Sequence, residues 1–176
     1  MRSLIIISII LTIAIPAVAA EISVGLDRCV ILNAENDDTA ESKFAFSFTL
    51  PDEIANKEII YSEVFVPLAV QNPDSGSHYE FILFPLTLNW SENEIDYESS
   101  GAITDSLSVG AYTVTLESTN EFHIDITSFV MNLCMGERNN YGLIGYADLL
   151  GDGSIRLSES IGEAMRNAAI VRIVYR

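Results

Sequence analysis

The run "KFAFSFTL", residues 43–50, alternates strictly, with Phe44, Phe46, Phe48 and Leu50 on one side and Ala45, Ser47 and Thr49 on the other. A period of two sets one face against a core and leaves the other wet, as a half-buried strand requires and a helix does not. The same grammar returns along the chain. "IIYSEVFVPLAV" (59–70) and "YEFILFPLTLNW" (79–90) are long β-type runs, each interrupted by a proline, Pro67 and Pro85. A proline supplies no ladder donor, so each predicts an edge or a bulge. "AYTVTLES" aligns Tyr112, Val114 and Leu116; "EFHIDIT" aligns Phe122, Ile124 and Ile126, with His123 and Asp125 opposite. "YGLIGYADL", "SIRLSES" and "AAIVRIVYR" supply three more strands. Eight or more short strands at this spacing predict an all-β chain, an antiparallel jelly-roll β-sandwich. A parallel sheet would show strands that are apolar on both sides.

Between these runs the expected connections are a turn or short helical piece at "DEIANKE", a loop at "QNPDSGSH", and an acidic loop over residues 91–111 with a short strand at 95–97. One stretch breaks the β pattern. In "ITSFVMNLCMGERNNYG", Phe129, Val130, Leu133 and Cys134 fall on one helical face, which predicts a short helix near residues 127–135 plugging the open end of the sandwich. Thr127 is the expected cap, Gly136 the stop, and Asn139 and Asn140 tolerate the left-handed backbone of a following turn.

The amino terminus follows a different logic. Arg2, an apolar run over residues 4–15, Pro16 and a small-residue Ala-x-Ala ending have the layout of a secretory signal peptide, cut after Ala19 or Ala20. The alternative is an uncleaved anchor, but the apolar core is short for a bilayer span. Residues 1–20 are thus expected to direct export, and residues 21–176 to form one domain without membrane insertion. Two cysteines, Cys29 and Cys134, lie in the exported part, where thiols are usually oxidised. Their bridge would close a loop of about a hundred residues, worth roughly 4–5 kcal/mol on chain-entropy grounds; two buried free thiols are the alternative.

The chain carries 25 acidic against 9 basic residues, a formal charge of −16. Nucleic acid and anionic membranes are excluded as partners, because a phosphate binder must bring Lys and Arg to its ligand. The 49% hydrophobic content argues against acidic disorder.

"FHIDITSFVMNLCMGERNNYGLIGY", followed by "SIRLSES" and "IVRIVYR", resembles the exported jelly-roll modules known as DNRLRE or disaggregatase-related domains, which are similar to carbohydrate-binding modules. Upstream, "IIYSEVFVPLAV" and "FPLTLNWSENEIDY" are similar to the family's paired strands leading to a Trp, a Glu and an aromatic. The resemblance runs from about Phe44 onward, and Asp125–Thr127, Gly136 and Asn140-Tyr141-Gly142 are its most specific part. Two departures stand out: Leu133 occupies a position where the family usually has Trp, and the last strand lacks an initial proline. Relatives that bind acidic polysaccharides use basic residues, and this chain has two lysines.

Candidate chemistry is sparse. Trp90 with Tyr97 is a candidate sugar platform, or else a core Trp and a rim Tyr. Asn89 begins an Asn-Trp-Ser glycosylation acceptor. Asp148, Asp152 and Ser154 in "DLLGDGS" are candidate calcium ligands, though a hairpin turn explains the same residues. His78 and the His123–Asp125 pair lack a nucleophile elbow, so no catalytic role is expected and no cofactor other than calcium is implied. The expected function is a secreted, non-catalytic structural subunit of the cell surface that associates with itself or with other envelope components, as in a surface layer or filament. The alternative is a secreted carbohydrate-binding module with a polysaccharide ligand.

Overall fold

The computed structural model describes residues 18–34, 42–67, 78–115, 121–149, 153–154 and 165–176. Among the described residues ten strands form two antiparallel sheets. A four-stranded sheet holds β1 (Ala20–Gly25), β10 (Ile170–Tyr175), β4 (Ile59–Pro67) and β7 (Glu121–Asp125), in that order. A six-stranded sheet holds β2 (Arg28–Asn33), β3 (Ser42–Ser47), β8 (Leu143–Leu149), β5 (His78–Pro85) and β6 (Gly110–Thr115) in order, with the two-residue β9 (Gly153–Ser154) on β8. Four antiparallel pairs are nested along the chain: β1 with β10, β3 with β8, β4 with β7, β5 with β6. Successive pairs alternate between the sheets, as if one long hairpin were wound around the core. That is a jelly roll. Residues 1–17 of the leader-like segment 1–20 and residues 155–160 of the expected strand "SIRLSES" lie outside the described residues, while Ala20 already belongs to β1 and Ser154 to β9.

The alternating residues meet between the sheets. Phe44, Phe46, Phe48, Phe81 and Leu83 from one layer pack against Ile22, Val24, Val64, Ile124, Val171 and Ile173 from the other. Phe44 lies parallel to Phe46 (8°) and edge-on to Phe81 (62°). The helix α2 (Thr127–Cys134) closes one end, burying Phe129 and Val130, with Leu133 and Cys134 half-buried beside them.

Several expectations need correction. Alternation in β3 predicted a wet face, yet the whole strand is buried, Ala45 and Ser47 included. Residues 86–109 fold back over the outside of the six-stranded sheet, so Leu32, Ala45, Leu86, Trp90, Ile95 and Ile144 form a second apolar cluster there. Within that segment the predicted strand at 95–97 is a turn leading into α1 (Tyr97–Ser100), because Asp96 caps it, its carboxylate accepting from the Ser99 amide (2.6 Å) while the Ser99 hydroxyl accepts from the Asp96 amide (3.1 Å). Pro67 and Pro85 mark neither an edge nor a bulge. Each is the last residue of its strand, where the ladder to β10 or β6 has already ended and no donor is needed on that side.

Thr127 does not cap α2. Its hydroxyl bonds to Asp125 Oδ1 (2.6 Å) and to the Ser62 amide (2.9 Å), fastening the helix start to β4. Gly136 ends the helix with φ +71°, as expected, but Asn139 and Asn140 keep negative φ. Asn140 instead ties the corner down, donating to the Phe48 carbonyl at 2.7 Å.

Candidate functional site

The bend after β5 turns Trp90 inward. It is 6% exposed, donates its indole N–H to the Tyr141 carbonyl at 2.7 Å, and has the Arg28 guanidinium 4.7 Å from its ring centroid. Arg28 also donates to the Trp90 carbonyl and to Ser47 Oγ. Tyr97, at the start of α1, lies under Lys43, whose ammonium is 3.8 Å from the ring centroid and donates to the Tyr97 carbonyl (2.8 Å) and Ser100 Oγ (3.2 Å). Desolvated cation–π contacts of this kind are worth about 2 kcal/mol. Both rings are thus spent on fastening residues 86–109 to the six-stranded sheet, and Trp90 has no open face to stack on a sugar. Asn89 is exposed beside them, its Oδ1 3.4 Å from the Arg28 guanidinium.

Cys29 and Cys134 are not bonded to each other; both thiols are free. Cys29 sits on the outer strand of the six-stranded sheet, whereas Cys134 ends a helix packed on β4 of the other sheet. Facing layers stand about 10 Å apart, and a disulfide needs Cα atoms within about 7 Å. Burial pushes the Cys29 thiol up to about 11, with Arg166 lowering it and Glu92 raising it to lesser degrees. Burial also raises Cys134.

Of the calcium candidates, Asp148 and Ser154 are register neighbours on the β8–β9 ladder, the hairpin reading of that stretch. Asp152 and the side chains of Asp148 and Ser154 lie outside the described residues, as does the side chain of His78. Among the described residues no three His, Cys, Asp or Glu side chains converge as a metal site would require.

His123 and Asp125 each have a partner of their own. Asp125 accepts from the Thr127 amide and hydroxyl, while His123 Nδ1 lies 3.1 Å from Glu63 Oε2. Glu63 is the centre of a network on the outer face of the four-stranded sheet, although it is 5% exposed. It accepts from Tyr61 (2.8 Å) and from Arg172 (2.7 Å), and Arg172 reaches Glu21 on β1 at 3.2 Å. Burial and the bond to Glu63 push Tyr61 up to about 12. Sequence reading missed this cluster, because four strands supply its members and only the register brings them together. At the end closed by α2, a shallow groove of 370 Å³ is lined by Arg28, Ser47, Arg138, Asn139 and Asn140. Arg138 is paired with Asp105 at 2.8 Å, which holds the Asp105 carboxyl below its ordinary range.

The two strands at one side of the sandwich have different edges. On β2, the Cys29 amide and carbonyl point away from β3 and are both taken: Glu92 Oε1 accepts from the amide at 2.8 Å, and Arg166 donates to the carbonyl from Nε (3.1 Å) and Nη2 (2.7 Å). Glu92 and Arg166 are themselves 3.7 Å apart. On β1, the ladder to β10 runs unbroken from Ala20 to Gly25, and no strand pairs with its other side among the described residues. Neither the protein-family models nor the curated proteins include a match to this chain.

Proposed function

We propose that the protein is an exported, non-catalytic jelly-roll module that serves as an extracellular structural subunit and joins its neighbours by strand addition along β1. The observation that carries this reading is the undefended edge of β1. Exposed edges are normally blunted by Lys, Pro, a bulge or a cover. Among the described residues the strand "AEISVG" has none of these, and its inward Ile22 and Val24 are only half-buried. An added strand would satisfy the open backbone groups and cover those side chains. The leader-like residues 1–20 and the resemblance to exported jelly-roll modules support an extracellular setting. The burial of Trp90 weighs against the alternative, a carbohydrate-binding module, which rested on Trp90 and Tyr97 together with the family resemblance.

Successive residues of a strand aim their amides at opposite edges. Of Ser23→Pro and Val24→Pro, therefore, one removes a ladder bond to β10 and lowers the melting temperature, while the other leaves the fold intact and blocks the open edge. Light scattering across a concentration series is expected to show self-association of the wild type and its loss in the variant that melts normally. A wild type that stays monomeric at every concentration would sink the reading.

A further inference from the structure

We infer that the Glu92–Arg166 clasp closes β2 to strand addition and so directs assembly to β1, where the occupant is β1 of a second copy, antiparallel about a two-fold axis. This rests on the structural-subunit reading and names its partner. Glu92 and Arg166 approach one edge residue from two different parts of the chain and occupy both of its outward backbone groups. Each arm is rooted in a buried neighbour, Glu92 two residues after Trp90 and Arg166 directly after Met165, which is 1% exposed. An incoming strand at β2 would have to displace three charge-assisted hydrogen bonds before forming its own. At β1 no strand among the described residues has to be displaced.

The second copy fits that edge for two reasons. On a molecule of net charge −16, contact between like copies is opposed wherever acids are unpaired. The strand β1 carries a single charge, Glu21, and Arg172 pairs with it at 3.2 Å. Residues opposite each other in an antiparallel pair share a face. A two-fold axis at Ser23 then sets Ile22 of each copy against Val24 of the other on the core side, and Glu21 against Gly25 on the outer side. The interface is self-complementary and closes at two copies, joining two four-stranded sheets into one continuous sheet.

The test uses the form released by an exporting host from the complete sequence, sized by sedimentation velocity beside Glu92→Ala/Arg166→Ala and Glu92→Gln. The expected wild type is a dimer. The double variant, with β2 open, is expected to assemble further, at least doubling the dimer mass, and to speed exchange of the Cys29 amide hydrogen. Glu92→Gln keeps an acceptor for that amide but loses the ion pair, so it should assemble less than the double variant and guards against a double variant that fails to fold. A double variant that folds and stays dimeric overturns the clasp and leaves the edge reading standing. A monomeric wild type overturns strand addition itself, and a dimer that survives both proline substitutions places the interface elsewhere than β1.

Discussion

Cys29 shows how one residue's surroundings decide its chemistry. A thiol in the core between two sheets is held protonated, so its folded pKa of about 11 lies above the unfolded value of about 8.5. Above the unfolded value the denatured chain has released its proton and the native chain has not. The contribution to stability is therefore complete below pH of about 8.5 and is lost as the pH rises through about 11. Urea unfolding at pH 7, 9 and 10.5 should show that decline, and Cys29→Ala should flatten it while lowering stability at every pH. In the native protein near pH 8, iodoacetamide should label the half-buried Cys134 and spare Cys29 until denaturant is added; equal labelling of both would contradict the packing. Gly145 is a second such residue. The Phe44 ring lies directly over its Cα, where an added Cβ would sit. Gly145→Ala should cost about 1–3 kcal/mol through overpacking, seen as a fall of about 2–4 °C in Tm per kcal/mol. The crowding at Gly145 is not legible in "YGLIGYADL", because the strand pattern shows which residues alternate but not which ring rests on which backbone.

At the scale of elements, β3 is where pattern and structure part. Its alternation correctly set Phe44, Phe46 and Phe48 toward the main core. The opposite face was expected to be wet and is dry, because a connection with almost no regular structure folds back over it. The signals for that cover were in the sequence as isolated features: Trp90, Ile95 and Tyr97 in an otherwise acidic loop, and a single lysine inside a strand. Lys43 reads as a surface residue until Tyr97, Tyr146 and Ser100 gather around it. The helix α2 was legible in length, buried face and stop. Its first residue was legible too, but its cap was not, since the Thr127 hydroxyl is taken by Asp125 and by Ser62, a residue 65 positions away.

For the whole molecule, charge and edges act against each other. Copies carrying −16 repel, while the strand addition proposed at β1 would draw them together. Salt should therefore shift the balance toward assembly, because at about 0.1 M the Debye length is already about 10 Å and shorter at higher salt. The concentration at half-assembly is expected to fall when sodium chloride is raised from about 0.05 to about 0.5 M. Sedimentation that is indifferent to salt would mean that repulsion does not limit association. Calcium chloride at matched ionic strength provides the contrast. An effect no larger than that of sodium chloride would leave Asp148, Asp152 and Ser154 to their hairpin, and a larger one would restore them as ligands.

What the amino-acid sequence determined by itself was local and periodic: antiparallel strands rather than helices, a sandwich core rich in Phe, one helical plug ending at Gly136, and a strongly acidic composition. Those follow from side-chain period and charge, which neighbours in the chain already define. Tertiary structure alone decided that Cys29 and Cys134 are not bonded, that Trp90 is sealed under Arg28, that Glu63 gathers Tyr61, His123 and Arg172, and that Glu92 and Arg166 occupy the outward amide and carbonyl of Cys29 on β2 while no described strand pairs with the outer side of β1. Each of these joins residues from different strands or loops. Their meeting depends on the register and layer to which each strand is assigned, and in a jelly roll that assignment is made by pairing the two ends of the chain around its middle.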